Sequence, residues 1–127
     1  MTKVLIADDV QGWVDYHTRI INWLFDGNAE IVTANTATEA YQIAMEHIAK
    51  PFDIVITDLQ METYYEPKYA GEWLIEQIKT LNAYYKTRFV IISAAYNIEH
   101  IAKNLVVDFI RKSTARDFPD SYMILKG

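Results

Sequence analysis

The chain has 127 residues, 51% of them apolar, a net charge of −5 and no cysteine. That length suits one domain, 1–127, with its own core. An acidic balance argues against direct nucleic-acid binding, which needs a basic surface. The lack of thiols rules out a disulfide framework and a thiolate metal site. No apolar run approaches the roughly 20 residues of a membrane span, and no signal peptide is expected. The expectation is a cytoplasmic protein with no membrane partner.

In chain order, residues 3–7 (Lys-Val-Leu-Ile-Ala) form a short, nearly continuous apolar run that reads as a strand. Residues 12–25 have helical spacing, with Trp13, Ile20 and Leu24 near one stripe and Tyr16 and Ile21 beside it. Gly27 is a helix stop. Residues 30–34 read as a second strand. Thr36 and Glu39 match a capping box and open a helix to about residue 49, which Pro51 ends. Residues 53–58 (Asp-Ile-Val-Ile-Thr-Asp) form a third strand, buried on both faces. A loop follows to about residue 70, then a helix over 71–81. Residues 88–93 are the fourth strand, 97–104 a short helix and 106–110 the fifth strand. The tail can form one more short helix, with Pro119 in its first turn. The histidines, His17, His47 and His100, have no ligand spacing and read as partly exposed helix residues.

Five alternations of strand and helix predict an α/β fold of the flavodoxin-like, doubly wound type. Its five-stranded parallel sheet would have strand order 2-1-3-4-5, with shortened fourth and fifth helices. Ligands of such sheets bind beyond the carboxyl ends of the strands. Asp8 and Asp9 follow the first strand, Asp58 ends the third, Ser93 ends the fourth and Lys112 lies just past the fifth. Each alone is an ordinary cap or turn former. Together they place three acids, a hydroxyl and an ammonium at one edge. Clustered carboxylates need a cation, and oxygen ligands beside a phosphoryl group suit Mg²⁺. A carboxylate can attack phosphorus and form an acyl phosphate.

The runs Val4-Leu5-Ile6-Ala7-Asp8-Asp9, Ile54-Val55-Ile56-Thr57-Asp58, Val90-Ile91-Ile92-Ser93-Ala94 and Asp108-Phe109-Ile110-Arg111-Lys112 resemble receiver domains of two-component response regulators. They are similar to those of single-domain chemotaxis regulators. The resemblance implies a phosphorelay switch in which Asp58 accepts a phosphoryl group from a histidine kinase or a phosphotransfer protein. It implies Mg²⁺ held directly by Asp9, through water by Asp8, and by Asp58 and the backbone carbonyl of Gln60. Lys112 would pair with the phosphoryl group, Ser93 would move to bond it, and Phe109 would turn inward as the switch residue. The output would be a downstream protein target. The only chemistry implied is the chain's own phosphorylation and dephosphorylation.

The chain departs from the family in several places. Ser113 follows Lys112 where proline is usual, which leaves the Lys112–Ser113 peptide open between trans and cis. The loop after Asp58 is long, carries Glu62 in place of a common proline and holds Tyr64, Tyr65 and Tyr69. These tyrosines either mark a partner site or pack over the sheet end. Gln60 and Ala95 stand where the family tunes dephosphorylation. A second reading is a pseudo-receiver, an interaction module without phosphorylation. A third, an enzyme or nucleotide binder on the same fold, meets a first turn, Asp8-Asp9-Val10-Gln11-Gly12-Trp13, that has one glycine and two acids. That turn is no phosphate cradle.

Overall fold

Strand β3, Ile54–Thr57, is buried at all four positions and forms the centre of the sheet. Its β-branched residues suit a strand covered on both faces. The computed structural model describes residues 1–127. Around β3 lie β1 (Thr2–Ala7), β2 (Ala29–Ala34), β4 (Arg88–Ser93) and β5 (Asp108–Arg111). All neighbours pair parallel, in the order β2-β1-β3-β4-β5. This is the expected topology. The helices are α1 (Gln11–Leu24), α2 (Ala37–Glu46), α3 (Ala70–Lys79), α4 (Ile98–Leu105) and α5 (Lys112–Asp117). A 3-10 turn, Asn82–Tyr84, precedes β4, and a 3-10 segment, Pro119–Lys126, closes the chain. No helix is long and apolar enough to cross a membrane.

The two-residue period of the strands divides the core. Leu5, Ala7, Val55, Phe89 and Ile91 face α2, α3 and α4. Val4, Ile6, Ile54, Ile56, Val90, Ile92 and Ile110 face α1, α5 and the C-terminal segment. Each fully buried isoleucine or leucine contributes roughly 1.5–3 kcal/mol.

Four local expectations change. The buried stripe of α1 is Val14, His17, Ile21 and Leu24, with Trp13 and Ile20 only partly covered. His17 is thus a core residue, not a partly exposed one. His47, just past α2, is partly buried, and His100 is exposed. The fifth strand starts at Asp108, not at residue 106. Val106 ends α4 in the left-handed region (φ 58°), and the Val107 N–H donates to the Ala102 carbonyl (3.0 Å). These residues form a Schellman-type stop for α4 rather than strand. The tail forms α5 and a 3-10 segment, separated at Phe118 (φ −135°, ψ 80°). Pro119 is in the first turn of the latter, as expected. The capping box of α2 is half formed. The Glu39 N–H donates to Thr36 Oγ1, but Glu39 Oε1 accepts from the Asn35 N–H rather than from Thr36.

Candidate functional site

Hydrogen bonds of the sheet carry the chain just past the strands before the acids emerge. The Asp8 N–H donates to the Ala34 carbonyl (3.1 Å) and the Asp58 N–H to the Ala7 carbonyl (3.0 Å). The two carboxyl groups therefore start from adjacent, fixed backbone positions. Asp8, Asp9 and Asp58 each place an oxygen within 4.8 Å of the others. Asp8 and Asp58 are buried, and Asp9 faces solvent.

Each acid is held differently. Asp58 Oδ1 accepts from the N–H groups of Leu59 (2.7 Å) and Gln60 (3.2 Å). Asp58 Oδ2 accepts from Lys112 Nζ at 2.8 Å. Lys112 also lies 3.1 Å from Asp8 Oδ2, and its ammonium sits 5.0 Å from the centre of the Trp13 ring. Asp8 Oδ1 accepts from the Val10 N–H at 2.9 Å. Asp8 Oδ2 is buried and takes no hydrogen bond.

Charge balance follows from these contacts. Burial pushes the Asp8 carboxyl up, but His17, the Val10 N–H and Lys112 outweigh it and hold Asp8 below the ordinary range. Burial and then the charges of Asp8 and Asp58 push Asp9 up. Burial lowers Lys112, and its bond to Asp58 and the charges of Asp58 and Asp8 more than reverse this. One ammonium thus faces three carboxylates. The Asp8 oxygen that has an ion pair but no hydrogen bond, the raised Asp9 and the all-oxygen donor set fit a hard divalent cation.

Ser93 is fully buried and its Oγ accepts from the Ala95 N–H at 3.2 Å. Phe109 is partly buried on β5, opposite Ile91, with the Arg111 guanidinium 5.8 Å from its ring centre. The Lys112–Ser113 peptide, open between trans and cis from the sequence, is trans, the form a non-proline bond prefers. Lys112 is the first residue of α5 and still reaches Asp58.

No protein-family model matches the sequence, and no curated protein matches it. Solved structures do match. A response regulator receiver domain protein from Clostridium thermocellum superposes with a TM-score of 0.69 at 23% identity, over 88% of this chain and 82% of that one. A receiver domain of a histidine kinase from Arabidopsis thaliana, in mutant form, gives 0.71 at 19% identity, over 89% and 82%. A CheY-like receiver domain protein from Methanospirillum hungatei gives 0.65 at 16% identity, over 99% and 97%. The chain has the receiver fold.

Within this receiver fold the structure brings Asp8, Asp9, Asp58 and Lys112 together and sets Ser93 at the end of the neighbouring strand. Sequence reasoning missed four contributors. His17 and Tyr122 meet behind Asp8, with His17 Nδ1 2.6 Å from the Tyr122 hydroxyl. The signal was the 3-4-3 spacing of Val14, His17, Ile21 and Leu24. Gly71 lies against the backbone of Asp58: a Cβ there would stand 1.9 Å from the Asp58 carbonyl oxygen. Glu62 caps α2 from across the loop. Its Oε1 accepts from the Ala37 N–H (2.6 Å), and its Oε2 accepts from the Thr38 N–H (3.2 Å) and hydroxyl (3.0 Å).

Two of the three loop tyrosines pack down. Tyr65 stacks on Trp73 (4.0 Å, 14°) and its hydroxyl lies 2.6 Å from Thr38 Oγ1. Tyr69 donates to Asn97 Oδ1 at 3.2 Å. Tyr64 alone projects, 86% exposed. A surface hollow of about 810 Å³ lies at the opposite sheet end, lined by Tyr85, Arg88, Lys103 and Val106 among others. It holds none of the clustered acids.

Proposed function

We propose that the chain is a phosphorylation-dependent switch of a two-component phosphorelay, with Asp58 as phosphoacceptor and Mg²⁺ as its cofactor. The observation that carries this reading is the convergence of Asp8, Asp9 and Asp58 within 4.8 Å under the Lys112 ammonium. Asp9 would hold the cation directly and Asp8 through water, with Asp58 and the Gln60 carbonyl completing the protein ligands. Bound Mg²⁺ supplies positive charge that offsets the three carboxylates and the phosphoryl oxygens.

The residues act as follows. Asp58 Oδ1 is pinned by two N–H groups, which leaves Oδ2 as the attacking oxygen. A P–O bond forms to Oδ2 as the P–N bond of the donor phosphohistidine breaks, and the leaving imidazole nitrogen takes a proton. Lys112 gives up Asp58 Oδ2 and pairs with a phosphoryl oxygen. The Ser93 hydroxyl turns from the Ala95 N–H and donates to another. Phe109 then follows Ser93 inward. This movement alters the surface of α4 and β5, which is the signal read by a downstream protein. The donor is a sensor histidine kinase or a phosphotransfer protein, and the reaction is cytoplasmic. Apart from its own phosphorylation and dephosphorylation the chain catalyses nothing.

Incubation with acetyl phosphate, with and without Mg²⁺, tests this by intact mass. The expected result is one phosphoryl adduct that requires Mg²⁺ and is lost in Asp58→Asn. An adduct of equal yield in Asp58→Asn overturns the assignment. Its absence with every small phosphodonor favours an interaction module.

A further inference from the structure

Behind the acidic cluster lies a pair of side chains that the proposed switch does not use. His17 is 1% exposed and Tyr122 is fully buried. His17 comes from the middle of α1 and Tyr122 from the C-terminal 3-10 segment, so their contact joins two distant parts of the chain. Such a pair is costly to bury unless each polar atom has a partner.

The pair constrains its own protons. Burial, and then the nearby Tyr16 and Asp8, push the Tyr122 hydroxyl far above its ordinary range, so Tyr122 keeps its proton. Nδ1 of His17, at 2.6 Å, is the partner in the structure for that hydroxyl. When the hydroxyl donates, Nδ1 accepts and the remaining ring proton lies on Nε2. Nε2 points at Asp8 Oδ2, 3.9 Å away. That is the oxygen left without a hydrogen bond. The distance exceeds hydrogen-bond length, so the N–H acts on Asp8 as an aimed dipole. Lys112 is the other group facing this oxygen. When Lys112 turns to a phosphoryl group, His17 is the donor that remains.

We propose that His17 is a positioning residue for Asp8: seated by the Tyr122 hydroxyl, it presents Nε2–H to the Asp8 oxygen that otherwise faces only Lys112, and the C-terminal segment thereby completes the cation site. The cation part of this rests on the proposed function. The pairing itself does not. Ligand-orienting partners of this kind typically change metal affinity by about 10–100-fold when removed.

Two readouts test it. In the metal-free protein, long-range ¹H–¹⁵N spectra of labelled histidine report the His17 tautomer, with His17→Gln assigning the signal. The expected result is Nε2–H with an accepting Nδ1, lost or altered in Tyr122→Phe, which removes only one oxygen. Calorimetric titration with Mg²⁺ alone gives the second readout. His17→Leu should raise Kd at least about tenfold, and His17→Gln, which restores an N–H toward Asp8, should recover most of the loss. Tyr122→Phe should weaken binding several-fold. A proton on Nδ1, or a wild-type Kd in a folded His17→Leu protein, overturns the proposal. If the wild type binds no Mg²⁺, the cation reading fails, and the completing role with it. The tautomer then decides the pairing alone.

Discussion

Gly71 and Val106 show how single backbone positions control what the sheet edge can do. Gly71, the second residue of α3, lies against the Asp58 carbonyl, and its N–H donates to the Leu59 carbonyl at 3.1 Å. A methyl group 1.9 Å from the Asp58 carbonyl oxygen must displace either α3 or Asp58. Gly71→Ala is expected to cost roughly 2–3 kcal/mol in denaturant melts and to reduce phosphorylation of Asp58. Val106 is the opposite case. It holds φ 58° and is 83% exposed, so the strained conformation is not offset by packing. Val106→Gly is expected to stabilise the protein by about 1 kcal/mol, read as a higher urea midpoint at unchanged slope. Residue types at strand ends were legible from sequence: Asp8, Asp9, Asp58 and Lys112 converge as the alternation of apolar runs implies. Gly71 and His17 were not, because one matters through a close backbone approach and the other through a contact with residue 122.

Elements and their joints were legible where apolar periodicity was strong and less so where side chains from elsewhere set the boundary. All five strands and the helices between them are found, yet β5 begins at Asp108 because α4 stops through Val106 and Val107. The loop over 59–69 reads as partner surface or packing from composition alone. Its cross-loop contacts make it largely packing. Glu62 places a carboxylate at the N-terminus of α2, where exposed N–H groups and the helix dipole favour it. Glu62→Ala should lower stability by about 1 kcal/mol, checked by thermal unfolding, and should loosen Tyr65 from Thr38. The C-terminal segment makes a separate statement about pH. Burial raises the Tyr122 hydroxyl above its ordinary 10.0 and, less strongly, that of Tyr84. In the unfolded chain both ionise near 10.0, while in the folded protein they stay protonated. The unfolded state therefore binds fewer protons above that pH, and stability falls as pH rises further. Below it the contribution is fully present. Urea melts across this range should show the decline in wild type and a shallower one in Tyr122→Phe.

At the scale of the whole molecule, the fold gathers the clustered polar groups at one sheet end. The parallel order β2-β1-β3-β4-β5 sets β1 beside β3, so the acids after these strands meet. β4 and β5 set Ser93 and Lys112 on the same edge. The fold was readable because each strand carries its own apolar run, and the site because it follows from strand order. The central claim is that Asp58 is the group that takes a phosphoryl group, and its covalent product has a distinctive chemistry. Borohydride reduces an aspartyl phosphate to homoserine and leaves phosphoserine, phosphothreonine and phosphohistidine unreduced. Peptide mapping after acetyl phosphate, Mg²⁺ and borohydride should find homoserine at position 58 and nowhere else. A phosphorylated protein whose residue 58 remains aspartate after reduction would contradict the account.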